Sequence, residues 1–224
     1  SAASDVYKRQ LYNTLSLPVM VLAYNKESLK KNTHPQSFKE LTDPQWKGLL
    51  STGSPLSSGT HFTTVAFLSK VYGWDYFKKL QLNGAISEGG NGAVLRRIQS
   101  RERPVGWILL ENLLRFQGQK KNFDHLIPKD GAILHNNVLA LVKKEQKKEG
   151  VQEVAQWFFS PEGQRAMTRS FMYSPFEDIK APLGAPPLKS IRAQAFPWTR
   201  DFIDYVVKNR GKIKEQFSEI MFGP

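Results

Sequence analysis

The sequence predicts an α/β protein with a mainly parallel sheet. Residues 17–24 (LPVMVLAY) form a continuous apolar run, which has the length and character of a strand buried on both faces. Shorter apolar segments at 49–52 and 104–109 predict further strands. Helical segments with one apolar face lie between these strands, so that strands and helices alternate along the chain, as they do in α/β proteins.

The helices are predicted from apolar spacing and from residues that favour helix ends. Val65, Leu68 and Tyr72 share one face of a helix predicted over residues 61–72, and Gly73 ends it. Ser160 and Pro161 form a helix start, with serine as the N-cap and proline in the first turn. Other helices are predicted over residues 74–80, 93–100, 111–116, 151–159 and 201–217. Other strand material is predicted at 126–128 and 133–142.

The composition of the 224 residues excludes several classes of protein. Hydrophobic residues make up 40% and charged residues 23%, as in globular proteins that bury a core. No apolar run approaches the roughly 18 residues needed to cross a bilayer. The chain has no cysteine, which excludes disulfides, thiolate nucleophiles and cysteine-ligated metals.

The net charge of +12 favours an anionic ligand over nucleic acid. The lysines and arginines are scattered, and no zinc-finger spacing or RNP-like aromatic cluster accompanies them. The four histidines form no HExxH motif, and no Gly-x-Ser-x-Gly elbow occurs. We therefore predict a binding protein rather than an enzyme, with no cofactor and no metal.

Three loops follow predicted strands and precede predicted helices, where ligands of α/β proteins bind. The first contains Ser57, Ser58, Gly59 and Thr60. A helix start offers free N–H groups and a favourable dipole to an anion, glycine permits close approach, and hydroxyls can donate. The alternative interpretation is an ordinary N-cap with an extra serine.

The other two loops lie at residues 87–92 and 107–112. Gly90 and Asn91 belong to a glycine-rich segment that can curl around a ligand, although it lacks the Gly-Lys-Ser/Thr of a phosphate-binding P-loop. Its alternative is a flexible loop. In the third loop, Trp107 with Glu111 and Asn112 could stack on and orient a polyol. The alternative there is a core tryptophan and a solvated glutamate at a helix start.

Several segments, in this order, resemble one family. They are Tyr24-Asn25-Lys26 after the apolar strand, LTDPQWKG at 41–48, the Ser-Ser-Gly-Thr helix start, and FFSPEGQ at 158–164. Together they resemble the iron(III)- and organophosphate-type extracellular solute-binding proteins of ABC transporters, over about residues 15–178. The branch that holds sugar-phosphate binders and phosphoglycerate transport regulatory proteins is the most similar.

The resemblance implies a type 2 periplasmic binding fold, in which two α/β lobes close on a ligand. Residues 11–47 plus 136–178 would form the remaining part of the first lobe, and 48–135 plus 179–224 the second. Residues 1–10 would be unstructured. The resemblance also implies an N-terminally truncated chain with an incomplete first lobe, and a periplasmic location.

The resemblance also suggests the ligand. Ferric-ion binders of the family carry adjacent tyrosines after the strand equivalent to 105–109, where this chain has leucines, Glu111 and Asn112. An organic phosphate, such as a sugar phosphate or phosphoglycerate, is therefore favoured over iron. The residues of the first helix start would hold its anionic group, and Gly90 with Asn91 would cap it. The remaining contacts would come from Trp107, Glu111 and Asn112 on one side and from Tyr24 and Asn136 on the other.

The implied partners are the small anion and the membrane permease of an ABC importer, with the chain acting as a monomer. Alternatives are a ferric-ion-binding protein of the same fold and a sensing subunit that signals to a membrane kinase. An enzyme acting on phosphorylated sugars is a further alternative.

Overall fold

The computed structural model describes residues 12–30, 33–117, 122–141 and 150–223. Its strands are β1 (Tyr12–Ser16), β2 (Val19–Asn25), β3 (Leu50–Thr52), β4 (Ile86–Ser87), β5 (Val105–Leu109), β6 (Phe123–Leu126), β7 (Ile133–Leu134) and β8 (Asn137–Ala140). Its α-helices are α1 (Gly59–Tyr72), α2 (Trp74–Leu82), α3 (Asn91–Ser100), α4 (Leu110–Gln117), α5 (Val151–Phe158), α6 (Pro161–Arg169), α7 (Leu188–Arg192) and α8 (Arg200–Phe222). The predicted α/β class is confirmed.

The helices predicted from residue 61 onward are all present, although α8 continues to Phe222 instead of ending at Phe217. A short helix is also expected at residues 26–31, and its described part forms turns instead. Helices α1 and α3 each begin two residues earlier than predicted, at Gly59 and Asn91. The strand predicted over residues 133–142 is two short strands, β7 and β8, with His135 and Asn136 between them. Residue 142 and the predicted unstructured residues 1–10 lie outside the described part of the chain.

A six-stranded sheet forms the centre of the molecule, in the order β4-β3-β5-β2-β6 with β7 also paired to β2. Strand β3 pairs in parallel with β4 and β5, but β2 is antiparallel to β5, β6 and β7. The predicted mainly parallel sheet is therefore wrong, and the sheet is mixed. The chain passes through helices between β3 and β5, so these strands can run in the same direction. Strand β2 lies beside β5 but runs in the opposite direction. A continuous apolar run indicates that a strand is buried on both faces, but it does not indicate the direction of the strand relative to its neighbours.

Both faces of this sheet are covered, and alternate residues of β2 enter separate cores. Met20 and Leu22 pack with α1, α2 and α8, whereas Val19, Val21 and Ala23 pack with α3 and α4. This is the two-sided burial that the run at 17–24 predicts. The sheet thereby holds the starts of α1 and α3 at fixed positions.

The second sheet has two strands, β1 and β8, which pair antiparallel. Helix α6 lies beside them. Gln164 Nε2 of this helix donates to the carbonyl of Leu15 in β1 at 3.3 Å. The predicted lobe boundary between residues 47 and 48 is wrong, because β2 pairs with β5 within one sheet. In addition, Phe38 and Trp46 share the core of Leu50. The rest of the predicted lobe division stays a prediction.

Among the described residues, no helix has both the length and the apolar character that spanning a membrane requires.

Candidate ligand-binding cleft

The first predicted loop forms the N-terminus of α1. Ser58 is the N-cap in an extended conformation, and its hydroxyl accepts from the N–H of His61. Ser58 Oγ also lies 3.3 Å from Thr60 Oγ1. Within the described chain, the backbone N–H groups of Gly59 and Thr60 have no acceptor, and the space in front of Gly59 is open. This helix start therefore offers two free donors and a favourable dipole.

The second predicted loop lies directly against the first. Ser54 N donates to the carbonyl of Gly89 at 2.8 Å, and Ser57 Oγ donates to the same carbonyl at 3.3 Å. Gly90 is the N-cap of α3, and a Cβ added to it would lie 3.9 Å from that of Ser58. The structure therefore brings two helix N-termini together at one end of the sheet.

Asn91 joins these two helix starts to the sheet. Its Nδ2 donates to Thr60 Oγ1 at 3.2 Å, and its Oδ1 accepts from Leu109 N at 3.0 Å. Both ends of the side-chain amide are thus used to fix α1 and α3 against the end of β5. In the described residues, the backbone N–H groups of Asn91 and Gly92 have no acceptor.

A cleft of about 700 Å³ opens in front of these helix starts. Its lining comes from α1, α3, the end of β5, the segment between β7 and β8, and the residue before the N-cap of α8. The lining residues are Ser57, Ser58, Gly59, Thr60, Thr63, Asn91, Leu109, His135, Asn136, Asn137 and Trp198. None of these described residues is a carboxylate, a tyrosine, a lysine or an arginine. An anion in this cleft would be held by dipoles and hydrogen-bond donors.

Behind the helix start lies His61, which is fully buried. Its Nδ1 accepts from Gly53 N and from Trp107 Nε1, each at 3.2 Å. We therefore assign the ring proton to Nε2. Burial lowers the pKa of His61 to about 4, and the neighbouring Asn91 side chain opposes this shift. The ring lies so close to Gly53 that a Cβ there would come within 2.3 Å of it.

Trp107 is part of the core and does not line the cleft. It is 1% exposed, and its one polar group donates to His61. The structure therefore does not bring Trp107 to the cleft, and its burial matches the alternative of a core tryptophan. All five residues of β5 are buried, because helices cover both sides of this strand.

Tyr24 lies at the other end of the sheet. It pairs with Val105, whereas the cleft residue Leu109 pairs with Met20. Four residues of strand separate these pairs by about 13 Å. Tyr24 stacks on His34 with a centroid distance of 4.5 Å. The structure therefore does not bring Tyr24 to the cleft, because it lies at the far end of β2.

Glu111 and Asn112 occupy the first turn of α4, just beyond Leu109, but do not line the cleft. Burial raises the pKa of Glu111 to about 7, and the nearby Arg115 opposes this rise. Their predicted contacts with a ligand stay predictions. Asn136 does line the cleft, in the segment between β7 and β8. Its predicted role also stays a prediction.

Several cleft residues are absent from the sequence-based prediction, notably His135 and Trp198. His135 is 4% exposed, and its Nε2 has no partner in the described residues. Burial lowers the pKa of His135 to about 3, and the nearby His61 lowers it further. Trp198 lies 140 positions from Ser58 along the chain, so sequence spacing gives no sign that the two meet.

A family model described as bacterial extracellular solute-binding protein matches residues 4–206. The chain belongs to this family. The resemblance of the motifs at 24–26, 41–48, 57–60 and 158–164 is thereby confirmed.

This solute-binding protein has a distant curated relative in Haemophilus influenzae. The two are 22% identical over 164 residues, which are 70% of this chain and 47% of the relative. The chain thus spans about half the length of the curated relative that it matches.

Solved structures share the fold. The periplasmic binding protein AfuA from Actinobacillus pleuropneumoniae, with fructose-6-phosphate bound, has a TM-score of 0.80 and 21% identity, over 95% of this chain and 69% of that one. The substrate-binding protein of an ABC transporter from Agrobacterium tumefaciens has a TM-score of 0.79 and 19% identity, over 95% and 67%. Iron-bound HitA from Pseudomonas aeruginosa has a TM-score of 0.76 and 18% identity, over 92% and 69%. The type 2 periplasmic binding fold is therefore confirmed.

Proposed function

We propose that this solute-binding protein captures a small organic phosphate in the cleft and delivers it to the permease of an ABC importer. The observation that carries the proposal is the meeting of two helix N-termini, with the backbone N–H groups of Gly59, Thr60, Asn91 and Gly92 unpaired in the described chain. Such N–H groups and helix dipoles favour an anion.

The chemistry of the cleft supports an anion over a cation. Iron(III) prefers hard anionic ligands, and the described lining contains neither a carboxylate nor a tyrosine. Phosphate oxygens accept hydrogen bonds, and the lining offers the unpaired backbone N–H groups together with the hydroxyl pair of Ser58 and Thr60. The net charge of +12 adds a long-range attraction for anions. AfuA, which shares the fold, has fructose-6-phosphate bound.

A ligand screen by thermal shift and calorimetry tests the proposal. The probes are inorganic phosphate, fructose 6-phosphate, phosphoglycerate, unphosphorylated fructose and iron(III). We expect the phosphorylated compounds to stabilise the protein, by about 2.7 kcal/mol at a hundredfold excess over Kd, and fructose to have no effect. Stabilisation by iron(III) alone would favour the ferric alternative, and no response to any phosphate would refute the proposal.

The double variant Ser58→Ala with Thr60→Val tests the position of the anion. It removes two hydroxyls from the cleft but leaves the backbone in place, so we expect fructose 6-phosphate to bind at least about tenfold more weakly. Ser160→Ala is the matched control, because Ser160 caps α6 in the same way, accepting from Gly163 N at 3.1 Å. Both changes cost about 1 kcal/mol of cap stability. Unchanged binding by the double variant would remove this site assignment.

The role in the cell needs separate experiments. In an ABC importer, deletion of this protein abolishes uptake of the labelled ligand. In the alternative of a sensor, deletion abolishes a transcriptional response and leaves uptake intact.

Binding and catalysis are separated by phosphorus NMR. If the protein only binds the ligand, the spectrum shows the ligand unchanged after incubation. Cell fractionation and light scattering test the proposed periplasmic location and monomeric state.

A further inference from the structure

We propose that Trp198 forms a second subsite of the cleft, which binds the organic part of the ligand and selects phosphate esters over inorganic phosphate. This inference rests on the proposed function, because it assumes that the two helix starts hold the phosphoryl group. The favoured ligand then carries a C–H-rich face that packs on the indole and hydroxyls that meet nearby polar groups.

Trp198 offers apolar surface inside a cleft that is otherwise mostly polar. It lines the same cavity as Ser57 to Thr60 and is 38% exposed. The only polar atom of its side chain, Nε1, donates to the carbonyl of Leu134 at 2.8 Å. What remains for a ligand is therefore ring surface, which binds C–H groups and disfavours a bare hydrated anion.

The indole is held in place before any ligand arrives. Phe67 of α1 contacts it edge to face, with centroids 5.1 Å apart and planes at 90°. Phe202 of α8 contacts it at 5.8 Å and 71°. These two phenylalanines stack on each other at 4.0 Å. A ligand that packs on Trp198 therefore loses little free energy to ordering of the ring.

Polar groups that lack partners stand in the same cleft. The side chain of Asn136 makes no hydrogen bond within the described chain and is exposed. His135 is almost fully buried, and its Nε2 also lacks a partner there. The exposed amide of Asn136 is a group that a ligand hydroxyl can reach directly, as donor or as acceptor. The subsite thus combines an apolar platform with donors and acceptors, which suits a phosphorylated polyol.

The test compares inorganic phosphate with fructose 6-phosphate by calorimetry, on the whole chain. For Trp198→Ala we expect binding of fructose 6-phosphate to weaken about tenfold and binding of inorganic phosphate to change less than about twofold. Trp198→Phe keeps a flat ring, and we expect it to retain most of the wild-type affinity. Trp157→Ala is the matched control, because Trp157 is similarly exposed at 42% but lies on α5 and does not line the cleft.

The outcomes separate this inference from the proposed function. If the wild type binds neither probe, both proposals fail. If it binds both probes and Trp198→Ala weakens them equally, or weakens neither, the subsite alone is overturned. Thermal melts of each variant identify a folding defect. If Trp198→Ala does not fold, the wild type and Trp198→Phe provide the test. The subsite is overturned if either of them binds inorganic phosphate as tightly as fructose 6-phosphate.

Discussion

At the scale of single residues, His61 connects three parts of the structure. It belongs to the first turn of α1, and its Nδ1 accepts from the loop at Gly53 and from Trp107 of β5. The two donated hydrogen bonds require a free lone pair on Nδ1, so the ring must be neutral for this arrangement to persist. The fixed position of the anion-binding helix start therefore depends on the protonation state of a buried imidazole.

We expect the free energy of unfolding to fall as the pH is lowered from about 6.5 to about 4. The folded pKa of His61 is about 4, below the ordinary 6.5, so in this range the unfolded chain binds a proton that the folded chain does not. Stability therefore rises with pH across this window, by up to about 3 kcal/mol for His61 alone. The pKa of His135, about 3, acts in the same direction.

Urea unfolding at pH 7 and at pH 4.5 measures this effect. The variant His61→Gln cannot titrate, so it should lose part of the pH dependence even if it is less stable throughout. An equal pH dependence in the variant and the wild type would contradict the role given to His61.

At the scale of elements, the site depends on how α1 and α3 begin. Serine and glycine in both loops, with asparagine in the second, indicate helix starts, and the helices do begin there, two residues before the predicted positions. The apolar spacing that predicts a helix starts only near the first buried side chain, so it misses the first two residues of each helix. Those two residues carry the unpaired N–H groups. Their approach to each other depends on the pairing of β3 with β4 and β5.

The variant Asn91→Asp tests the proposed anion site without a large change in shape. A carboxylate can still accept from Leu109 N, and an acidic residue suits a helix start, so we expect the melting temperature to change little. It cannot donate to Thr60, and its charge repels a phosphate. We expect fructose 6-phosphate to bind about tenfold to a hundredfold more weakly.

Gln81→Glu provides the matched control for Asn91→Asp. It makes the same change in net charge on the exposed surface of α2 and should leave binding unchanged. Calorimetry on both variants decides between a local and a global effect of charge. Equal affinities in the wild type and Asn91→Asp would mean that no anion binds beside Asn91.

At the scale of the whole molecule, the two sheets differ in how far they are protected. Strand β2 has hydrogen-bonded neighbours on both sides and an apolar core on both faces. Among the described residues, strand β8 has one neighbour, and its exposure alternates from residue to residue. A two-stranded sheet depends on what packs against it, because it buries little surface of its own.

Hydrogen–deuterium exchange should reveal this difference. We expect the amides of β2 and β5 to exchange most slowly, with protection close to that of global unfolding, and those of β8 to exchange faster by local opening. Mass spectrometry of peptic peptides measures both regions in one experiment. Equal protection of β8 and β2 would show that the molecule opens as a single unit.

The sequence by itself determined the class of this protein, most of its helices, the family and the two helix starts. These are local properties, because N-caps, apolar spacing and short motifs are read over a few residues. The tertiary structure decided the direction of β2, the burial of Trp107 and the distance of Tyr24 from the cleft. It also brought His135 and Trp198 to the cleft from distant parts of the chain. Local sequence reports whether a side chain is apolar or polar, but strand pairing decides which end of the sheet it reaches.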